Sequence, residues 1–348
     1  MTRELLNTLY VQTPHAYVRL EGETLKVEAD GSRLIQTPLH HLGAIMLFGT
    51  AGISPHAMAK CAAEGRNIAF FNQAGRFLCR VTGPMSGNVL LRKAQYDAQG
   101  NPTHTCHIAR AFVAGKIRNQ RYLTSRAARD SRDAVRAERL RKATNALGVL
   151  LESLPLQPDT DSVRGIEGQA SAVYFNVFGE MITVPESEFS FRVRTRRPPR
   201  DRVNAVLSFL YALLRTDCAA ACEGVGLDPQ FGFLHTLRSG RPSLALDLME
   251  EFRPIVADRV ALTLINRRQL RPSHFEERTD GGGSVMLTEE GRKSVLVAFQ
   301  ERKQEEVIHP LLKDKTPLGL LPHLQARLLA RCLRGDLPDY LPFTVSGA

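Results

Sequence analysis

The stretch Thr82-Gly83-Pro84-Met85-Ser86-Gly87 separates two kinds of hydrophobic periodicity. A proline, a serine and two glycines in six residues break any regular element, and the segment reads as a linker. Upstream, from Thr8 to about Thr82, apolar residues fall in short, mainly alternating runs such as Leu9-Tyr10-Val11, Ala16-Tyr17-Val18-Arg19-Leu20, Ala44-Ile45-Met46-Leu47-Phe48 and Asn67-Ile68-Ala69-Phe70-Phe71. Glu21-Gly22, Asp30-Gly31 and Ala74-Gly75 mark turns between them, so this part reads as strands. The exception is Pro55 to Glu64, a short helix with Ser54 as N-cap and Pro55 in its first turn. Downstream, from Asn88 onward, the period lengthens to about three and a half residues and helices are predicted. The expected fold class is α+β: a small β-rich domain over residues 1–82, a linker at 83–87, and a larger all-α domain over 88–348.

Composition narrows the function. The chain has 348 residues, 43% of them hydrophobic, and 46 Lys and Arg against 36 Asp and Glu give a net charge of +10. Such a length suits two domains, and the basic balance favours a polyanionic partner, nucleic acid first. Six cysteines without a second close pair make no zinc framework and read as reduced thiols. The polar N-terminus does not read as a signal peptide and no run is expected to approach the length needed to span a membrane, so a cytoplasmic protein is expected. No P-loop, dinucleotide-binding glycine motif or serine nucleophile elbow occurs.

The chemistry concentrates in Gly224 to Pro254, GVGLDPQFGFLHTLRSGRPSLALDLMEEFRP. Gly240 and Pro242 mark entry to a helix, Arg253-Pro254 its exit, and Leu244, Leu248 and Phe252 repeat at helical spacing. Asp247 then lies three and four residues from Glu250 and Glu251, a cluster that repels itself unless a cation or proton intervenes. His235 is just upstream, and the basic turn through Arg238 and Arg241 can fold it back over the helix. One imidazole with two or three carboxylates suits Mg2+ or Mn2+ and is a poor structural zinc site. The same residues also fit a core histidine beside a solvated helix end. A further acid, Glu167, sits among glycines and small residues in a helical pattern from Ser162 to Phe175. It reads either as a third ligand or as a partner of the helix dipole.

Basic residues are dense from Arg110 to Lys142 and again from Arg192 to Arg202, where Pro198-Pro199 holds the chain extended. Arg196 and Arg197 in the second tract fit DNA-backbone contact or bridges to acids of neighbouring helices. Arg238 and Arg241, flanking the turn between His235 and the acidic helix, are the stronger phosphate candidates.

Four ordered blocks, RGIEGQASAVYF, RTRRPPRDRVNAVLSFLYALL, GVGLDPQFGFLH and GRPSLALDLMEEFRP, resemble the large subunit of the CRISPR spacer-acquisition complex, a DNA integrase and endonuclease. GKIRNQR near the middle and the Tyr340-Leu341-Pro342-Phe343 ending extend the likeness over nearly the whole chain. The resemblance implies that Glu167, His235 and Glu250 bind the catalytic divalent metal, Mg2+ or Mn2+, with Asp247 a possible additional acid. It implies phosphate contacts for Lys116 and Arg121, and a scaffold or dimerisation role for the β-rich domain. It also implies a homodimer joined to a small adaptation subunit, acting on double-stranded DNA with free 3′ ends and on CRISPR repeat DNA. A metal-dependent nuclease uncoupled from integration would share the acids and the basic surface. A non-catalytic DNA-binding scaffold would keep the arginines and be indifferent to Glu167, His235 and Glu250.

Overall fold

The computed structural model describes residues 6–73, 75–81, 83, 89–196, 198–278 and 283–345. Of the predicted linker, only Gly83 lies within the described residues.

The N-terminal part holds strands β1 (Asn7–Val11), β2 (Tyr17–Glu21), β3 (Thr24–Ala29), β4 (Ser32–Pro38), β5 (Leu42–Phe48) and β6 (Gly52–Ile53). Helix α1 (Pro55–Ala63), β7 (Asn67–Phe71) and β8 (Phe77–Val81) follow. Ser54 caps α1 as expected, accepting from the Ala57 amide at 3.2 Å. The strands form two four-stranded sheets, ordered β1-β5-β7-β8 and β4-β3-β2-β6. In the first, β1, β5 and β7 are parallel, with Leu9 opposite Ile45 and Ile45 opposite Ile68, and β8 closes it antiparallel. Leu9, Ile45, Leu47 and Ile68 meet Val18, Leu25 and Val27 of the second sheet in one core. Met46, Phe48, Ala69 and Phe71 belong to the core of the helical domain instead. A strand buried on both faces reads as a continuous apolar run, which explains why Ala44 to Phe48 scarcely alternates.

The second part is mostly helical: α2 (Val89–Gly100), α3 (Pro102–Asp130), α4 (Ala134–Ser153), α5 (Thr160–Asn176), α6 (Arg202–Val225), α7 (Ser243–Glu250) and α8 (Arg259–Asn266). A hairpin of β9 (Phe275–Arg278) and β10 (Ser284–Leu287), helix α9 (Glu289–Gln304), a second hairpin of β11 (Glu306–Ile308) and β12 (Lys315–Pro317), and α10 (Leu321–Leu333) complete it. The two hairpins are an addition to the all-α expectation. Their strands are three or four residues long, too short to show a period of two.

Helix α6 is the axis of the domain. It packs on α7 and α10, and its Phe209 ring lies 6.1 Å from Phe48 of the first sheet. By length and composition alone α6 could cross a membrane, which corrects the expectation that no run approaches that length. Two-thirds of that window is buried inside the protein, as befits a central core helix. Helix α3 runs 29 residues, capped by Asn101, and packs on α4 and α5. Between α7 and α8 the backbone is π-helical over Arg253–Asp258, so the predicted exit at Arg253-Pro254 is a distortion and not a stop. Such π segments are frequent at functional sites, because the extra residue per turn re-aims the side chains that follow.

Candidate active site

Helix α7 is eight residues long and buried nearly all round. Leu244, Ala245, Leu248 and Met249 face the core, and Asp247 and Glu250 are as buried as they are. Carboxylates in such a place need partners, and each has its own set. Asp247 accepts from the backbone amides of Phe233 (2.6 Å), Leu234 (3.0 Å) and His235 (2.9 Å). Its Oδ1 also lies 2.6 Å from His235 Nδ1. The predicted fold-back of His235 over the helix is therefore built by Asp247. The close approach needs Gly232: a Cβ there would lie 2.6 Å from Asp247 Oδ2 and from the Ser243 backbone. With Nδ1 held by Asp247, His235 Nε2 points to Glu250, 3.8 Å from Oε1. This carboxylate–imidazole pairing is how proteins orient a metal-ligating or proton-handling histidine.

Glu250 lies at the centre. Arg253 Nη1 is 2.9 Å from its Oε1 and Lys116 Nζ 2.7 Å from its Oε2. Both oxygens are buried and hold these ion pairs without a hydrogen bond of good geometry. Burial opposes ionisation, but Arg253, Lys116 and His235 together outweigh it and bring the Glu250 pKa down to about 2. Glu167, from α5, reaches the same place. It pairs with Lys116 and accepts from Ser171 Oγ at 2.9 Å, and it keeps a quarter of its side chain exposed. Its pKa too is lowered, burial being overcome by Lys116.

The structure thus brings Glu167, His235, Glu250 and Asp247 together from α5, the loop before α7, and α7 itself. Glu251 departs from the predicted cluster. It turns to the opposite side, where Tyr340 OH, the Phe343 amide (2.7 Å) and Gln325 Nε2 (3.0 Å) donate to it. One residue of helix is about 100° of rotation, so successive side chains cannot share a face. Burial pushes the Glu251 carboxyl up to about 8 despite those donors.

Of the expected phosphate contacts, Lys116 is corrected. It is 2% exposed, with its ammonium inside the acidic site, and presents no charge to the surface. Arg121 is half-buried with its guanidinium over Gly148 of α4. Arg196 and Arg238 are exposed and Arg241 is half-buried, while Arg197 lies outside the described residues. Burial, and then the charges of Arg238 and Arg164, lower the Arg241 pKa, so three guanidiniums share one side of the site. Arg164 was missed by the sequence reading. It sits one turn before Glu167 and donates to Thr236 at 3.4 Å, beside His235. Ser171 and Arg253 were also missed as site residues. Their spacings of four from Glu167 and three from Glu250 are the signal that could have found them.

A divalent ion fits these residues. The Glu250 oxygens are buried and short of hydrogen bonds, Glu167 opens toward solvent, and the imidazole presents Nε2; hard oxygens with one nitrogen are a donor set for Mg2+ or Mn2+. Among the described residues, however, no three His, Cys, Asp or Glu side chains converge as a ready-made cage, and Lys116 stands between the two glutamates.

The model of the family described as CRISPR associated protein Cas1 matches residues 9–301. The chain belongs to the Cas1 family. Among curated Cas1 proteins, "CRISPR-associated endonuclease Cas1 1" of Moorella thermoacetica is 52% identical, over 97% of this chain and 98% of the relative. Among solved structures, a casposase bound to integration product superposes with a TM-score of 0.83 at 20% identity, covering 97% of this chain and 93% of that one. A chain of a Cas6-RT-Cas1–Cas2 complex superposes with a TM-score of 0.82 at 22% identity, covering 100% of this chain and 37% of that one. The last two share the fold of the Cas1 chain described here, and the curated relative carries the endonuclease name.

Proposed function

We propose that this Cas1 protein is a metal-dependent DNA integrase and endonuclease of CRISPR adaptation. In this reading, the 3′-hydroxyl of a captured DNA fragment attacks a phosphodiester at the edge of a CRISPR repeat; a new P–O bond joins the fragment as the P–O3′ bond of the repeat strand breaks, and the proton lost by the nucleophile is balanced by protonation of the released 3′-oxygen. The observation that carries the proposal is the placement of Glu167, His235 and Glu250 around one half-buried acidic site, with Arg164, Arg238 and Arg241 on one side of it. When bound, Mg2+ or Mn2+ would supply positive charge to a phosphodiester whose transition state gains negative charge. Glu167, His235 and Glu250 would hold the ion. Asp247 fixes the tautomer and direction of His235, and Arg253 fixes the Glu250 carboxylate. Arg164, Arg196, Arg197, Arg238 and Arg241 would grip the DNA backbone without reading its sequence. Hydrolysis by water at the same site would account for the endonuclease name of the relatives.

Partners follow the same reading. The casposase structure is bound to integration product and the other is a Cas6-RT-Cas1–Cas2 complex. They support DNA and a partner subunit, the small adaptation subunit in this reading; double-stranded DNA with free 3′ ends is the form the proposed reaction requires. The β-rich domain would serve as scaffold in a homodimer whose two sites process two DNA ends.

The test joins a labelled fragment with a free 3′-hydroxyl to a repeat-containing duplex, with and without Mg2+ or Mn2+ and with and without the small subunit. Metal-dependent joined product that disappears in Glu167→Ala, His235→Ala and Glu250→Ala supports the proposal. Cutting without joining leaves the uncoupled nuclease. DNA binding with no chemistry in any protein leaves the scaffold.

A further inference from the structure

Lys116 is the buried charge that this mechanism does not use. It projects from the middle of α3, and the helix backbone there is pressed against the C-terminal segment and the stem of Glu251, behind the site. A Cβ on the preceding residue, Gly115, would lie 2.7 Å from Pro342 and 3.1 Å from Glu251. The ammonium contacts Glu167 Oε1, Glu250 Oε2 at 2.7 Å and Ser171 Oγ at 2.9 Å. It is 2% exposed. The two glutamates it joins come from α5 and α7 and would otherwise face each other across a buried gap, where like charges repel strongly.

The other cation of the site differs in kind. Arg253 is a rigid fork with its guanidinium 5.1 Å from the centre of the Tyr211 ring, and among the ion pairs of the described residues it meets only Glu250. Lys116 is a compact point charge on a flexible four-carbon stem, able to withdraw without dismantling its surroundings. It sits between the two carboxylates assigned to the divalent ion.

We propose that Lys116 is a tethered counter-cation that holds the place of the divalent ion between Glu167 and Glu250, so that ion binding is an exchange of cations and not the filling of an empty cage. The inference rests on the divalent-ion reading of the site. It explains why the acids are close and buried although no three ligands converge: the ammonium, a single charge with hydrogen-bond directions of its own, draws two of them together and leaves His235 Nε2 aside. It also makes Lys116 a positioning residue that sets the concentration of free ion the protein needs.

The test is calorimetric titration of the DNA-free full chain with MnCl2. Lys116→Met, which keeps the stem and removes the charge, is expected to bind Mn2+ at least ~10-fold more tightly than wild type, and Lys116→Arg no more tightly. The rise in melting temperature on adding Mn2+ is expected to be larger in Lys116→Met than in wild type. Equal or weaker binding by Lys116→Met, with binding still lost in Glu250→Gln, overturns the exchange and leaves the metal site standing. No Mn2+ binding by wild type or Lys116→Met overturns both. Should Lys116→Met not fold, acetylation of wild type followed by mass spectrometry decides: several-fold more modification of Lys116 with Mn2+ supports displacement, and equal protection overturns it.

Discussion

Glu250 and Glu251 are adjacent, equally buried and chemically identical, yet the protein treats them in opposite ways. Glu250 meets two full cations, Lys116 and Arg253, and its pKa falls to about 2. Glu251 meets only neutral donors, Tyr340 OH, the Phe343 amide and Gln325, and its pKa rises to about 8. At Glu251 the neutral donors do not offset the desolvation of the carboxylate, and at Glu250 two full charges do. Glu250 is therefore held ionised, as the proposed chemistry requires. The other is kept protonated and ties down the C-terminal segment, with Asn119 completing the tie by donating to Glu251 O (2.8 Å) and Phe343 O (3.0 Å).

The sharpest way to break this comparison is to neutralise each glutamate without changing its shape. Glu250→Gln is expected to lower strand transfer roughly 10³-fold, the several kcal/mol expected of a lost metal ligand. Glu251→Gln, which replaces a protonated acid by an amide of the same size, is expected to stay within about threefold of wild type. Comparable losses in the two variants, measured by initial rates of joining, would falsify the division of labour.

Truncation reverses the order. Glu251→Ala leaves the Tyr340 hydroxyl, the Phe343 amide and Gln325 without their acceptor in a dry interior, and a loss of about 3 kcal/mol in urea unfolding is expected. Hydrogen exchange should show the Phe343 and Val345 amides released, since Val345 N donates to Asn119 Oδ1 in the same network. Retention of both amides in the variant would mean that Asn119 alone holds the segment.

How much of this was legible in the sequence follows from the same pair. The change of period across residues 82–87 showed strands giving way to helices, because amphipathic repeats are local. The parallel pairing of β1, β5 and β7 was not legible, since it depends on which distant surfaces cover both faces of β5. Within the site, Glu167, His235 and Glu250 are assigned through ordered blocks of resemblance, whereas spacing alone leaves a helix-dipole partner, a core histidine and a solvated helix end open. Spacing also grouped Glu251 with Asp247 and Glu250. It could not show that α7 is buried all round, so that its carboxylates face separate partners. Lys116 reads as a phosphate contact through the GKIRNQR block, and its burial shows only once α5 and α7 are placed against α3.

Acidity gives a third comparison, with signs that oppose. Glu250 has a folded pKa below the ordinary 4.5, so its contribution to stability is present above about 4.5 and is lost as pH falls toward 2. Glu251 has a folded pKa above 4.5, so its contribution is complete below that value and declines as pH rises toward 8. Wild type should therefore lose stability between pH 5 and 8 relative to Glu251→Gln, on the order of 2 kcal/mol once relaxation of the buried site is allowed for. Unfolding curves at matched ionic strength check it, and parallel pH profiles of the two proteins would show that Glu251 is ionised throughout.

The smallest effects belong to the rim, where charge acts through water. Arg238 is exposed and Arg241 half-buried, and among the ion pairs of the described residues neither takes part. If each meets one backbone phosphate, Arg238→Ala and Arg241→Ala should each weaken DNA binding several-fold and reduce the slope of log affinity against log salt by about one. The loss should be uniform across DNA sequences and leave the rate at saturating DNA nearly unchanged, unlike the loss in Glu250→Gln. A sequence-dependent loss would move these arginines from backbone grip to base recognition. An unchanged salt slope would place the DNA path away from these two arginines.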